Sequence, residues 1–102
     1  MAMPAYCFFD VTEVTDPPGL ERYREGVLET VERFGGRYLT VGGQCEGVEG
    51  TWRPVFPVLI EFPSLERAYQ WYNSEGYKPL KELRLAATRG HAVFVEGTPF
   101  RR

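Results

Sequence analysis

The sequence predicts one α+β domain spanning residues 1–102, with elements in the order strand, helix, strand, strand, helix, strand. Three observations carry that prediction. The longest apolar run, Val55 to Phe62, is apolar on both faces, as expected of a central strand covered on both sides. Leu20, Tyr23, Val27, Val31 and Phe34 recur at steps of three and four, the stripe of an amphipathic helix. A second helical pattern after Ser64 leads into another apolar run, His91 to Glu96.

Ala5 to Val14 reads as the first strand, with Cys7, Phe9 and Val11 forming a wholly apolar face and Tyr6, Phe8, Asp10 and Thr12 the other. Asp16-Pro17-Pro18 is a helix start, because aspartate accepts the orphan N–H groups of a first turn and proline there forfeits no hydrogen bond. Glu29 and Arg33 form an outward i,i+4 pair, and Gly35-Gly36 stops the helix. Arg37 to Val41 is the second strand. Residues 42–54 carry four glycines, which exclude a regular helix and predict a long irregular connection, with Val48 to Trp52 extending the hairpin.

In the central strand Val58, Ile60 and Phe62 point one way, Leu59 and Glu61 the other. Ser64 caps the next helix, whose inner stripe reads Leu65, Ala68, Tyr69 and Tyr72, leaving Trp71 off it. Asn73 to Gly76 interrupts that helix. A further segment starts near Tyr77 or Lys78, since Pro79 is tolerated only in a first turn. Its stripe is Leu80, Leu83 and Ala87, and Gly90 ends it before the last strand, His91 to Glu96.

This order matches the split βαβ, or ferredoxin-like, arrangement: a four-stranded antiparallel sheet with its helices on one face. The other face is then bare, yet Tyr6, Phe8, Leu59, Ala92 and Phe94 are assigned to it. An apolar patch of that breadth marks an interaction surface, so two subunits are expected to pack sheet on sheet as a homodimer. Covering about 500 Å² of apolar surface per subunit contributes about 12 kcal/mol before association costs.

Gly35-Gly36-Arg37-Tyr38-Leu39, Gly42-Gly43, Glu49-Gly50 and Trp52 resemble the central signature of a bacterial domain-of-unknown-function family, the one numbered thirteen-thirty. Ile60-Glu61-Phe62-Pro63-Ser64, Ala68, Trp71-Tyr72, Ser74, Tyr77, Arg84 and Val95-Glu96-Gly97 are similar to it as well, so the resemblance covers nearly the whole chain. Glu75-Gly76-Tyr77 departs from the Pro-Glu-Tyr-like turn of relatives, which puts that helix start in question. The resemblance implies membership of the dimeric α/β-barrel superfamily. That superfamily includes cofactor-free monooxygenases, isomerases, haem enzymes and small-ligand binders, and fold alone does not choose among them.

A net charge of −2 provides no electrostatic basis for gripping nucleic acid, and no apolar run approaches the roughly 20 residues of a membrane span. The N-terminus lacks a signal-peptide pattern. Two cysteines, Cys7 and Cys45, suggest a reduced cytoplasmic protein, with Cys7 a small core residue. His91 is the only histidine and no C-x-x-C occurs, so no metal or cofactor is expected.

The candidate catalytic residues are Asp10 and Glu61. Read as members of neighbouring parallel strands about 4.8 Å apart, both fall on the face away from the helices. Partial desolvation there raises a carboxyl pKa and makes a general acid or base. The competing reading is a pair of interface acids neutralised by Arg37 or Arg84. Arg37, Tyr38, Trp52, Tyr72 and His91 are candidate substrate-binding residues, with Arg37 holding an enolate oxygen and the aromatics packing a small apolar or aromatic ligand. Three functions stay open: a cofactor-free enzyme of monooxygenase or isomerase type, a non-catalytic ligand-binding dimer, and a structural or stress-related dimer.

Overall fold

A computed structural model describes residues 3–98. Its elements are β1 (Ala5–Val14), α1 (Pro17–Arg33), β2 (Arg37–Val41), β3 (Pro57–Phe62), α2 (Leu65–Tyr72), α3 (Lys78–Ala87) and β4 (Thr88–Glu96). The strands form one antiparallel sheet in the order β2-β3-β1-β4, the ferredoxin-like arrangement expected from the element order. No helix among the described residues is long and apolar enough to cross a membrane.

Helix α1 begins as its sequence demands: the Asp16 carboxylate accepts the Gly19 N–H at 3.3 Å, with Pro17 in the first turn. It ends where Gly35 takes φ +81°, a conformation that costs glycine nothing, and Gly36 N–H returns to the Val31 carbonyl at 3.0 Å. Residues 42–56 form an irregular connection, and the Val48 to Trp52 segment adds no strand.

The core lies between the helices and one sheet face. Ala5, Cys7 and Phe9 of β1 and Ile60 and Phe62 of β3 are buried there, beneath Val27 and Val31 of α1. Burial pushes the Cys7 thiol up to about 12, which leaves it an inert packing group. At the centre sits Trp71, fully buried, with ring centroids 5.3 Å from Phe62 and 4.2 Å from Tyr77. Its Nε1–H donates to Thr30 Oγ1 at 3.0 Å, and that hydroxyl donates to the Val27 carbonyl at 2.7 Å. The inner stripe of α2 is therefore Leu65, Ala68, Trp71 and Tyr72, whereas Tyr69 is half exposed. An eight-residue helix with three aromatics fits two stripes equally well. The tryptophan wins the inward place because it removes the largest apolar surface from water.

Helix α3 ends at Ala87 and β4 begins at Thr88, so Gly90 lies inside the strand and His91 in its middle. The glycine is required by approach: a Cβ there would collide with the Asp10 carbonyl oxygen across the β1–β4 pair. Register also corrects the faces of β4. Phe94 lies opposite Cys7 and Ala92 opposite Phe9, on the helix side, and Phe94 packs against Tyr72 at 5.5 Å. Val93 and Val95 instead lie opposite Phe8 and Tyr6 on the bare face, where they are 58% and 57% exposed.

Candidate functional site

Between α1 and the sheet lies a cavity of about 620 Å³. Helix α1 lines it with Leu20, Tyr23, Arg24, Val27 and Leu28, which its 3.6-residue period brings to one side. Alternation delivers Phe9 and Val11 from β1, Val58 and Ile60 from β3, and Tyr38 from β2. Arg84 of α3 closes the inner side, while Val55 and Phe56 come from the connection before β3. The rim is aliphatic, with Leu28, Val41 and Val55 largely exposed.

Two cations, Arg24 and Arg84, and three phenols stand out against these apolar walls. Tyr23 and Tyr38 line the cavity, and Tyr77 lies behind Tyr23 with its hydroxyl 3.0 Å away. Arg84 Nε donates to the Tyr77 hydroxyl at 3.4 Å, and its guanidinium lies 5.2 Å from the Phe9 ring centre. Arg84 Nη2 is buried and has no hydrogen-bond partner among the described residues. Burial pushes the Tyr38 phenol up to about 12 and raises Tyr23 and Tyr77 as well, so all three stay protonated at neutral pH. For Arg84 burial works against the charge, but the phenol oxygens around it more than offset that, and it remains a cation.

Arg84 thus brings a buried cation with an unpartnered donor nitrogen to the wall of an apolar cavity. The donors can hold a developing oxyanion without reorganising, and the surrounding low dielectric strengthens that interaction.

The structure separates the residues singled out by sequence. Because β1 and β3 run antiparallel, Asp10 pairs with Pro57 while Glu61 pairs with Tyr6, so the two acids sit at opposite ends of the ladder instead of side by side. Asp10, only 3% exposed, accepts the backbone N–H groups of Val55 and Phe56 at 2.9 and 2.8 Å. Glu61 accepts from Arg37 Nε at 2.7 Å on the bare face. That hydrogen bond and the guanidinium charge hold its carboxyl below the usual range, opposite to the shift expected for a desolvated acid. Arg37 thus has a protein carboxylate as partner.

Trp52 packs edge-on against Phe8, ring centres 5.8 Å apart, also on the bare face. Tyr38 alone of the candidates lines the large cavity. Asp10, Tyr72 and His91 border a separate space of about 120 Å³ between α3, β1 and β4, which Arg84 also lines. In the sequence, Arg84 reads as part of the family resemblance and as a possible counter-ion, and Tyr23 as a stripe residue. Its signal was an arginine one step after Leu83 on the inward side of a short helix, where a solvent-facing residue carries no interest but a core-facing one must find partners.

The fold and cavity define a ferredoxin-like α+β domain with a ligand-sized space between its helices and sheet. The chain belongs to the family described as domain of unknown function DUF1330, whose model matches residues 4–98. A comparison with curated proteins finds no match to the sequence. Among solved structures, the chain is similar to the RPA0582 protein of unknown function from Rhodopseudomonas palustris, with TM-score 0.73 and 15% identity over 100% of this chain and 86% of that one. It is also similar to SnoaB, a cofactor-independent oxygenase from Streptomyces nogalater, with TM-score 0.65 and 12% identity over 97% of both chains. A putative antibiotic biosynthesis monooxygenase from Nitrosomonas europaea aligns with TM-score 0.57 and 10% identity over 95% of this chain and 92% of that one. At these identities the likeness is one of fold.

Proposed function

We propose that the chain is a cofactor-free enzyme that acts on a small, largely apolar substrate in the helix-side cavity by stabilising its enolate. The Arg84 guanidinium, at the wall of a 620 Å³ apolar cavity and with its Nη2 lacking a hydrogen-bond partner among the described residues, carries this reading. A ketone bound with its oxygen at Arg84 loses an α-proton to water. The C–H electron pair moves to carbon and oxygen, and Arg84 and the phenols stabilise the negative oxygen. Where the ketone is unsaturated, return of the proton at the far carbon of the dienolate is an isomerisation, and addition of dioxygen to the enolate carbon is an oxygenation. The likeness to a fold that includes a cofactor-independent oxygenase supports the second outcome. Asp10 and Glu61 take structural parts in this reading, because each already holds a protein donor.

The test uses 2-tetralone, a bicyclic ketone with acidic α-hydrogens, in D2O. The protein is expected to accelerate α-hydrogen exchange followed by NMR, and Arg84→Met to lose about 10²–10³-fold of that acceleration. Dioxygen uptake by the same sample separates oxygenase from isomerase. Binding without accelerated exchange would instead establish a non-catalytic ligand-binding protein.

The same reading makes the protein a cytoplasmic homodimer joined through the bare sheet faces. Tyr6, Phe8, Leu59, Val93 and Val95 form a continuous apolar surface there, and Arg37 with Glu61 provides a polar edge. Light scattering at micromolar concentration is expected to show a dimer, and Val93→Glu a monomer. A monomeric wild type would remove the dimer from the proposal.

A further inference from the structure

Arg84 sets the direction of a hydrogen-bonded chain that ends at the cavity. An arginine side chain has five N–H donors and no acceptor, so toward Arg84 Nε the Tyr77 oxygen can only accept. Tyr77 is fully buried, and its own hydrogen needs a protein acceptor. Its other hydroxyl neighbour is Tyr23, at 3.0 Å. Donation from Tyr77 to Tyr23 meets that need, and it leaves the Tyr23 hydrogen for whatever occupies the cavity that Tyr23 lines. Arg84, a donor at every nitrogen, lines the same cavity. Both polar groups whose orientation is fixed thus offer hydrogens. Tyr38, whose hydroxyl has no hydrogen-bond partner among the described residues, can turn to suit either kind of ligand atom.

We propose that Arg84, Tyr77 and Tyr23 act as a donor-only recognition unit, selecting a ligand whose ring system bears an unprotonated oxygen and rejecting the neutral alcohol or the amine of the same shape. Enolates, phenolates and carboxylates satisfy it. An alcohol oxygen can accept from these donors but leaves its own hydrogen without an acceptor, and an ammonium sets donor against donor, the kind of mismatch that discriminates most strongly. Tyr23 is here a specificity-determining contact, and Tyr77 a positioning residue that acts through it. The inference rests on the ligand's occupying the helix-side cavity.

Three probes of one shape test it by calorimetry at neutral pH: 2-naphthoate, 2-naphthalenemethanol and 2-naphthylmethylamine. The wild type is expected to bind naphthoate about tenfold or more tightly than the alcohol, and the amine more weakly still. Arg84→Met should erase that preference. Tyr77→Phe keeps the Arg84 charge but frees Tyr23 to turn a lone pair outward, so the anion-to-alcohol ratio should fall by about threefold or more. Tyr23→Phe, which leaves Tyr77 in place, should lower the same ratio and guards against a Tyr77 variant that fails to fold. A merely structural role would weaken all three probes together and leave the ratio unchanged, and that result would overturn the proposal. Equal wild-type affinity for all three would overturn it while the cavity reading stands. Binding of none of them would overturn both.

Discussion

Replacing Trp71 by alanine is expected to lower the unfolding free energy by about 3–5 kcal/mol, the range for removing a large aromatic side chain from a packed core. For a domain of this size that corresponds to a fall in Tm of about 15 °C or more. The ring is fully buried and touches Phe62, Tyr77 and Phe9, so its removal leaves a hole bounded by both helix and sheet residues. It also deprives the buried Thr30 hydroxyl of its donor, although that hydroxyl still donates to the Val27 carbonyl. Trp71→Phe should retain most of the packing and lose the hydrogen bond, placing it between wild type and alanine. Urea unfolding checks the order. A change below about 0.5 kcal/mol for alanine, the usual size of a surface substitution, would show that the ring does not sit in the core.

The second large effect is expected at Asp10. Its Oδ1 accepts two backbone hydrogen bonds, from Val55 and Phe56, in a nearly water-free position. Asp10→Ala strands both donors and should cost about 3 kcal/mol or more, since hydrogen bonds to charged acceptors are worth about 1.5–3 kcal/mol each. Asp10→Asn keeps an oxygen in place and should cost about half as much or less. The damage should also be local. Proteolysis within residues 42–56 is expected to quicken in the alanine variant, because the carboxylate ties the end of that connection to β1. If Asp10→Asn instead kept full stability but lost tetralone exchange, Asp10 would be a proton carrier, and the assignment of that step to the cavity would have to be revised.

Much of the fold was legible because local signals agreed with the global arrangement. The Asp16 cap, the Gly35-Gly36 stop and the stripe between them defined α1, and the limits of β2 matched at Arg37 and Val41. The two faces of β3 were readable because Glu61 breaks its apolar run on one side only. Where both sides of an element carry apolar residues, periodicity lost its power. The run Ala92 to Val95 permits either face, and only pairing Phe94 with Cys7 decides it. The stripe of α2 was ambiguous for the same reason.

The helix-side cavity could not be read at all. It depends on how far α1 stands from the sheet and on Arg84 projecting inward from α3, and neither distance is written in any local pattern. Proximity of Asp10 and Glu61 was inferred from strand adjacency, but adjacency without direction leaves the offset along the strands free. Antiparallel pairing set it to nearly the length of the ladder.

The alternation of β1 has a consequence for how this chain can change. Cys7, Phe9 and Val11 address the cavity side, while Tyr6, Phe8 and Asp10 address the bare face. Point substitutions can therefore change the helix side or the bare face separately, within one ten-residue segment. Insertion or loss of a single residue cannot, because it would exchange the two sets at once. The irregularity between Val11 and Glu13 is the one place in the β1–β4 pairing that already accommodates an extra residue. In heredity, then, the two faces are independent under substitution and inseparable under a shift in length.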